Sequence, residues 1–247
     1  MTAPSYDIIQ GPEDSPWLLT CDHASNRVPP EVAEGDLGLP ATEMARHIAY
    51  DIGAAGVTRH LAELLDAPAV LSNFSRLVID PNRGADDPTL VMRLYDGTII
   101  PANRSIDAGE IARRKALFYD PYDAALEEAC RDRTDIAYVA IHSFTPRLNG
   151  RNPRPWEVGV LYAWDERLSR PFIQALKAEG DLTVGENQPY AGHLPGDAVD
   201  RHALQHGRPN ALIEIRHDLI ATEAGQLDWA QRLAPLLTRA LEEMHSI

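Results

Sequence analysis

The sequence IAYVAIHSFTP, residues 136–146, is the most hydrophobic strand-like stretch of the chain and ends in a polar island that begins at His142. Its first six residues form a short, continuous apolar run, which is typical of a strand buried on both faces. The carboxyl ends of the strands of an α/β sheet meet at one edge, and ligands bind there. The stretch therefore predicts a central strand that delivers a histidine to a binding edge.

Three other polar islands follow strand-like stretches elsewhere in the chain. They are CDHASN (21–26), IDPNR (79–83) and IEIR (213–216). Together the four islands offer two histidines, several carboxylates and two arginines. This set of side chains is typical of a metal-dependent hydrolase that acts on an acidic substrate.

Hydrophobic periodicity and breaker residues predict strands that alternate with helices. The strands are predicted over 17–21, 69–71, 76–80, 136–141, 158–162, 182–184 and 211–215, and the helices over 41–65, 107–131, 165–179 and 220–245. Asp107 is the expected N-cap of the second helix. The irregular stretch 84–106 is typical of a functional loop or lid, and 185–209 is also expected to be a loop. The alternation predicts one α/β domain over residues 1–247, with a mixed, mainly parallel sheet covered on both faces.

Composition excludes several classes of partner. The 247 residues carry a formal net charge of −14, and nucleic acids and anionic membranes both require a basic face. A small anionic substrate is compatible with this net charge, because a few arginines at the site can outweigh the field of the distant acidic residues. The first residues have no basic and apolar leader pattern, and no apolar run approaches the roughly 20 residues that span a bilayer. The sequence therefore predicts a soluble cytoplasmic protein without nucleic-acid or membrane partners.

The two histidines are the first candidate metal ligands. His23 lies two residues after the predicted strand 17–21, among small or polar neighbours, and His142 directly follows the strand 136–141. Neutral imidazole is the commonest protein metal ligand near pH 7. A catalytic zinc ion takes three protein ligands and keeps a position for water, so a third ligand is expected.

The third ligand is open between Asn26, Asp22 and Asp51. Asn26 is a poor zinc ligand, and alternation along an extended chain would point Asp22 away from His23. Asp51 is the preferred candidate, because on the predicted helix 41–65 it flanks the buried stripe, about 20° from Met44 at 100° per residue. A carboxylate there is costly unless it is paired or metal-bound. The alternative is an ion pair with Arg76.

Glu214 lies inside the apolar strand 211–215, and glutamate is rarely buried without a partner. One interpretation is a general acid or base that activates water. The other is a salt bridge to Arg216, which lies on the same face of the strand.

Several further residues are candidates for substrate binding or catalysis. Asn82 and Arg83 suit a substrate carboxylate, because arginine binds carboxylates bidentately and asparagine adds a donor. Arg76 and Arg216 are expected to help with a second carboxylate. His202 is a candidate catalytic residue, because its loop precedes Glu214 and could fold over the site.

Several segments, distributed from about residue 17 to about residue 220, resemble the N-formylglutamate amidohydrolase family, also called formylglutamate deformylases. The resembling segments are CDHASNRVP (21–29), HIAYDIGA (47–54), SRLVIDPNR (75–83), IHSFTP (141–146) and LIEIRHDLI (212–220). The family in turn is similar to the zinc carboxypeptidase and aspartoacylase group. The resemblance implies a phosphorylase/hydrolase-like three-layer α/β/α sandwich, which agrees with the alternation of elements.

The resemblance also implies roles for individual residues. His23 and His142 would hold zinc, Asn82 and Arg83 would bind the substrate carboxylate, and Glu214 would be the acid/base. The chain departs from the carboxypeptidase pattern at Asn26, where that group has a zinc-binding glutamate.

The expected activity is hydrolysis of the amide of N-formyl-L-glutamate or a similar N-acyl amino acid. The form CDHASN of the first motif resembles a side branch of the family, which favours a different acyl amino acid. The alternatives are an amidohydrolase or peptidase that cleaves another small acidic amide, and a non-catalytic protein that binds zinc or a ligand.

Overall fold

A twisted seven-stranded sheet organises the computed structural model, which describes residues 4–246. The sheet strands are β1 (Tyr6–Ile9), β2 (Trp17–Cys21), β3 (Ala69–Ser72), β6 (Ala137–Phe144), β7 (Val158–Leu161), β8 (Val184–Glu186) and β9 (Asn210–Arg216), and a separate hairpin consists of β4 (Leu94–Tyr95) and β5 (Thr98–Ile99). The strand order is β1-β3-β2-β6-β9-β7-β8. The four central strands β3, β2, β6 and β9 are parallel, whereas β1 is antiparallel to β3 and β7 is antiparallel to β9.

Helices cover both faces of this sheet. They are α1 (Ala41–Met44), α2 (Ala54–Leu64), α3 (Ala108–Arg114), α4 (Asp120–Ala129), α5 (Ser169–Ala178), α6 (Ala198–His202) and α7 (Glu223–His245). Buried side chains of α2, α5 and α7 form one hydrophobic core with one face, and those of α4 and α6 form a second core with the other. The predicted α/β class with a mixed, mainly parallel sheet is confirmed, and the arrangement is that of a three-layer sandwich.

The most hydrophobic segments were predicted best. The strands expected over 17–21, 136–141 and 211–215 correspond to β2, β6 and β9, and they lie side by side in β2-β6-β9 order. The structure extends β6 to Phe144, so His142 lies inside the strand. The prediction missed β1, and it described the segment that contains α6 as a loop.

The predicted strand 76–80 is wrong. This segment is a series of turns, in which Val78 N–H donates to the carbonyl of Ser75 and Arg76 N–H donates to that of Ala49. Leu77 and Ile79 are fully buried, so the segment has the hydrophobicity of a strand without its backbone pairing. A short apolar run does not by itself separate these two states.

The predicted continuous helix 41–65 is also wrong. Between α1 and α2 the chain forms turns, and Gly53 precedes α2 with a left-handed φ of 81°. A side chain at Gly53 would meet the carbonyl oxygen of Ile220 at 2.0 Å. This glycine therefore fixes both the break and the close packing of the segment 217–220 against it.

Other expectations concern the polar segments. Asp107 caps α3 as predicted, since its carboxylate accepts a hydrogen bond from Glu110 N–H at 2.8 Å. A π-helical turn, Lys115–Tyr119, joins α3 to α4, and Pro121 lies in the first turn of α4. The stretch 84–106 contains the β4–β5 hairpin and a short 3₁₀ turn, Pro101–Asn103. No helix among residues 4–246 is both long and apolar enough to cross a membrane.

Candidate active site

A cavity of about 270 Å³ opens at the carboxyl edge of the sheet, on the face covered by α4 and α6. This size suits a small molecule rather than a polymer. The cavity is lined by His23, Asp51, Arg76, Asn82, Arg83, Tyr95, His142, Ser143, Leu161, Tyr190, Ala191, Gly192, His193, Leu194, Asp197, Val199, Leu204, Leu212 and Glu214. Strand pairing explains how distant segments meet here, because His142 on β6 and Glu214 on β9 are direct register partners.

Two imidazoles and one carboxylate converge in the cavity. The Asp51 Oδ2 atom lies 3.2 Å from His23 Nδ1 and 2.8 Å from His142 Nδ1. The two rings are nearly perpendicular, with centroids 5.0 Å apart. All three side chains are buried, at no more than 4% exposure.

The opposite nitrogen of each ring is held by a further buried carboxylate. His23 Nε2 lies 2.7 Å from Asp80 Oδ1, and His142 Nε2 lies 3.1 Å from Asp22 Oδ2. Metal-binding histidines usually donate their second ring N–H to a carboxylate or carbonyl, which fixes the tautomer and the orientation of the ring. Both Nε2 atoms are therefore arranged as donors, and both Nδ1 atoms face the shared point beside Asp51.

This donor set fits a divalent metal ion. The ligating atoms of His23, Asp51 and His142 all lie within 4.8 Å of one another. Two imidazole nitrogens and one carboxylate oxygen are the protein ligands of many catalytic zinc sites. These three residues are the ones that would hold such an ion.

The three candidates for the third ligand have different positions. The Asn26 side chain points away and donates to the carbonyl of Met44 at 2.9 Å. Asp22 contacts the outer nitrogen of His142 and accepts a hydrogen bond from Tyr122 Oη at 2.8 Å. Asp51 alone of the three lies between the two Nδ1 atoms.

Asp51 does not lie on a helix, contrary to the prediction from the sequence. Asp51 lies in the turns before α2, where its N–H donates to the carbonyl of His23 at 2.9 Å. Its Oδ1 atom also lies 3.5 Å from Arg76 Nη1. The ion pair proposed as the alternative therefore coexists with the histidine contacts.

Electrostatics within the cluster favour ionised carboxylates. Burial disfavours the charge of Asp51, but the adjacent His23 and His142 outweigh it and hold the Asp51 pKa well below its usual range. Burial likewise opposes protonation of His142, but its hydrogen bonds to Asp22 and Asp51 outweigh burial and raise the His142 pKa. The cluster thus stabilises a positive charge at its centre, which a metal ion would supply.

Glu214 lies beside this cluster, and its side chain accepts no hydrogen bond from residues 4–246. Burial raises the Glu214 pKa to about 7, and among the described residues its Oε2 atom makes no hydrogen bond. The alternative salt bridge to Arg216 is absent from the described residues, since Arg216 contacts Glu157 at 3.1 Å and Asp218 at 2.8 Å. An unpaired buried carboxylate that faces a cavity is typical of a functional residue.

Asn82 and Arg83 reach the cavity from the turn that follows Asp80. The Asn82 Oδ1 atom accepts from the N–H of Ala198 at 3.1 Å, and the backbone N–H of Asn82 donates to Asp80 Oδ1 at 3.0 Å. Arg83 is half-buried and contacts the carbonyl of Asn82 and the hydroxyl of Thr89. Neither contact neutralises the guanidinium, so it is available to a carboxylate.

Arg76 also lines the cavity, but it is already paired. Its Nη2 atom lies 2.8 Å from Asp80 Oδ2, in addition to the contact with Asp51. Its guanidinium lies 5.4 Å from the centre of the Tyr95 ring. Arg76 therefore holds the two carboxylates that contact His23, and it offers little charge to a second substrate carboxylate.

Two expected site residues are not among those that line the cavity. Arg216 is the first, and its carboxylate partners Glu157 and Asp218 explain its position. His202 is the second, since its Nε2 atom lies 2.7 Å from Asp123 Oδ1. The geometry gives no support to a substrate-binding role for Arg216 or a catalytic role for His202.

Several residues that line the cavity were not predicted from the sequence. Tyr95 comes from the β4–β5 hairpin, Tyr190 and His193 come from the segment before α6, and Asp197 caps α6. Burial raises the Asp197 pKa to about 6. The sequence carries one local signal for Asp197. An aspartate at this position is a preferred N-cap residue, and its carboxylate accepts from the N–H of Asp200, three residues on.

A doubly covered α/β sheet with a cavity of buried histidines and carboxylates at its carboxyl edge is typical of an α/β enzyme that binds a small molecule at the strand ends. Residues 15–221 match the family described as FGase, N-formylglutamate amidohydrolase. The chain therefore belongs to the N-formylglutamate amidohydrolase family, and the resemblance noted in the sequence is confirmed.

Solved structures share this fold. A gene product of Agrobacterium tumefaciens is 33% identical, with 98% of this chain and 97% of that chain covered and a TM-score of 0.89. An N-formylglutamate amidohydrolase from Ralstonia eutropha JMP134 is 22% identical, with 99% of each chain covered and a TM-score of 0.76. A bacteriophage poly-gamma-glutamate hydrolase shares the fold more distantly, at 11% identity and a TM-score of 0.50, with 96% of this chain and 89% of that chain covered. No protein of curated function matches the chain.

Proposed function

We propose that this protein is a metal-dependent amidohydrolase that cleaves N-formyl-L-glutamate or a similar N-acyl amino acid into the free acid and the amino acid. The observation that carries the proposal is the convergence of His23 Nδ1, His142 Nδ1 and Asp51 Oδ2. Membership of the N-formylglutamate amidohydrolase family supports the amide as the bond that is cleaved.

His23, His142 and Asp51 would hold the metal ion, with zinc as the expected metal. When bound, a zinc ion lowers the pKa of water and polarises a carbonyl oxygen. Asp80 and Asp22 orient the two imidazoles through their Nε2 atoms. Their contribution is to keep both Nδ1 atoms directed at one point.

Glu214 acts as the general base and then as the general acid. Its carboxylate takes a proton from the attacking water and delivers it to the nitrogen of the leaving amine. Two features support this role, namely its unpaired Oε2 atom and its position beside His142 across the β6–β9 pair. A side chain that already had a hydrogen-bond partner would be less free to exchange protons with the substrate.

Arg83 and Asn82 bind the carboxylate of the substrate. Among the described residues the Arg83 guanidinium donates only to the carbonyl of Asn82 and the hydroxyl of Thr89, and Asn82 Oδ1 accepts a hydrogen bond from Ala198 N–H. Binding the substrate carboxylate at this end orients the amide for attack, which is the main benefit of fixed positioning.

The direct test is formate release from a panel of N-formyl amino acids that includes N-formyl-L-glutamate. Chelator-treated protein should be inactive, and one equivalent of zinc should restore activity. Isothermal titration of the stripped protein with zinc should give one site, which is lost in the double variant His23→Ala/His142→Ala. Absence of formate release from the whole panel by zinc-loaded protein would reject the proposed activity.

A further inference from the structure

One side of the cavity is built from aliphatic side chains. Leu161 on β7 and Leu212 on β9 are direct cross-strand partners, and Val199 and Leu204 come from α6 and the turn that follows it. Leu194, in the segment before α6, adds a half-buried side chain. These five residues are called the apolar wall.

The apolar wall is continuous with the proposed acid/base. Leu212 precedes Glu214 by two residues, so both side chains leave β9 on the same face of the sheet. Leu161, opposite Leu212 in an antiparallel pair, shares that face. A molecule whose amide lies at Glu214 therefore has an aliphatic surface directly beside it.

The arginines of the cavity lining offer little unpaired positive charge, and Arg154, outside the lining, reaches it only through a hydrogen bond to Tyr190 Oη at 3.2 Å. Among the described residues that line it, Arg83 is the only lysine or arginine without a carboxylate within ion-pair distance. Arg76 is shared by Asp51 and Asp80. His193 lies 3.4 Å from Asp200. One substrate carboxylate can be paired by Arg83, but a second, at the apolar wall and away from the metal ligands, would have no unpaired arginine or lysine of the lining, which is unfavourable.

A carboxylate of the protein also disfavours a second negative charge. Asp197 lines the cavity, and its side chain accepts a hydrogen bond from Asp200 N–H at 2.7 Å. Burial already disfavours its ionised form and raises its pKa to about 6. A dianionic ligand in a cavity this small would therefore experience repulsion as well as the lack of a partner.

We infer that the preferred substrate is an N-acyl amino acid with a single carboxylate and an apolar side chain, which packs against the apolar wall while Arg83 holds the carboxylate. The inference rests on the proposed function and narrows it. A side chain of the size of leucine or methionine suits the wall, whereas the γ-carboxylate of glutamate would find neither a cation nor room away from Asp197.

Binding measurements test this inference independently of turnover. Zinc-loaded Glu214→Gln protein is titrated by calorimetry with N-formyl-L-leucine and with N-formyl-L-glutamate. We expect the leucine compound to bind at least about tenfold more tightly, about 1.4 kcal/mol, because the second carboxylate of the glutamate compound would be left unpaired beside the apolar wall. Equal affinities, a preference for the glutamate compound, or binding of neither would overturn the inference.

A positive charge added to the apolar wall should weaken the preference for the leucine compound. Leu194 is half-buried and lies in the segment before α6, so Leu194→Arg adds a second guanidinium at the cavity. The ratio of the two affinities should shift towards the glutamate compound by about tenfold or more. The matched control is Leu182→Arg. Leu182 is also half-buried and lies outside the helices and strands, but it does not line the cavity, so this variant should leave the ratio unchanged. An unchanged ratio in folded Leu194→Arg protein, checked by circular dichroism, would contradict the proposed location of the side chain.

Turnover separates this inference from the proposed function. Formate release that favours N-formyl-L-glutamate would leave the amidohydrolase proposal intact and reject the apolar substrate. Tight, selective binding of N-formyl-L-leucine without any formate release would support the inferred ligand class and reject the proposed amidohydrolase activity.

Discussion

The two faces of strands β6 and β9 contrast sharply, although the same short segments build both. On one face, Val139 and Ile141 of β6 and Ile213 of β9 are fully buried against side chains of α2, α5 and α7. On the other face, the alternate residues His142 and Glu214 reach the cavity. We refer to these as the closed face and the site face.

The contrast shows how one strand can serve stability and chemistry separately. Successive side chains of a strand point to opposite sides of the sheet. The closed face therefore carries apolar residues such as Ile141 and Ile213, whereas the site face combines buried apolar residues such as Ala140 and Leu212 with the reactive His142 and Glu214. The closed face contributes burial of apolar surface, the dominant favourable term in folding. The site face tolerates an unpaired carboxylate at Glu214, a feature that a purely structural layer would avoid.

The largest expected effect comes from breaking the site face at Glu214. Glu214→Gln removes the proposed proton carrier while keeping shape and volume, so kcat should fall about 10²–10⁴-fold. The free energy of unfolding should change little, because Glu214 Oε2 makes no hydrogen bond with the described residues. Steady-state kinetics measures the loss of kcat, and urea unfolding measures the free energy of unfolding. Retained activity would remove Glu214 from the mechanism.

The closed face should show the reverse pattern. Leu237→Ala on α7 truncates a fully buried side chain of the closed-face core and should lower the free energy of unfolding by about 2–5 kcal/mol. The kcat of the folded fraction should stay close to that of the wild type. A large loss of kcat in fully folded Leu237→Ala protein would show that the two faces are not independent.

A smaller effect is expected from the carboxylates behind the metal ligands. Asp22→Asn keeps an acceptor for His142 but removes the charge that raises its basicity, so zinc affinity should fall about 10–100-fold. The matched control is Asp123→Asn, because Asp123 forms a similar pair with His202 outside the cavity lining. Zinc titration should separate the two variants, and equal affinities would mean that Asp22 has only a packing role.

The smallest of these effects concerns the substrate carboxylate. Arg83→Ala should raise KM about tenfold with a lesser change in kcat, which corresponds to about 1.4 kcal/mol of binding. Arg216→Ala provides the comparison, because Arg216 is paired with Glu157 and Asp218 and should leave KM nearly unchanged. A larger KM effect for Arg216 than for Arg83 would reverse the assignment made from the structure.

Much of the fold could be predicted from hydrophobicity alone. The central strands β2, β6 and β9 are continuous apolar runs bounded by polar residues, which is the strongest local pattern for a buried parallel strand. The same runs placed His23, His142 and Glu214 at one edge of the sheet. These three residues do line a common cavity.

Errors occurred where tertiary contacts outweighed local pattern. Residues 76–80 have the composition of a strand, yet the chain turns there, and Asp80 accepts hydrogen bonds from Arg76 and from the backbone N–H of Asn82 while it contacts His23. The break before α2 depends on Gly53 and its contact with Ile220, a residue far away in the sequence. Neither feature has a local signal strong enough to override periodicity.

The sequence by itself determined the α/β class, the family and the pair of histidines, because those depend on residue type and order along single strands. Only the tertiary structure decided that Asp51 stands between the two imidazoles, that Arg216 and His202 lie off the cavity lining, and that leucines form one of its walls. The physical reason is that ligand geometry, ion pairing and apolar packing depend on which distant segments meet. That meeting is set by strand order and helix packing rather than by local pattern.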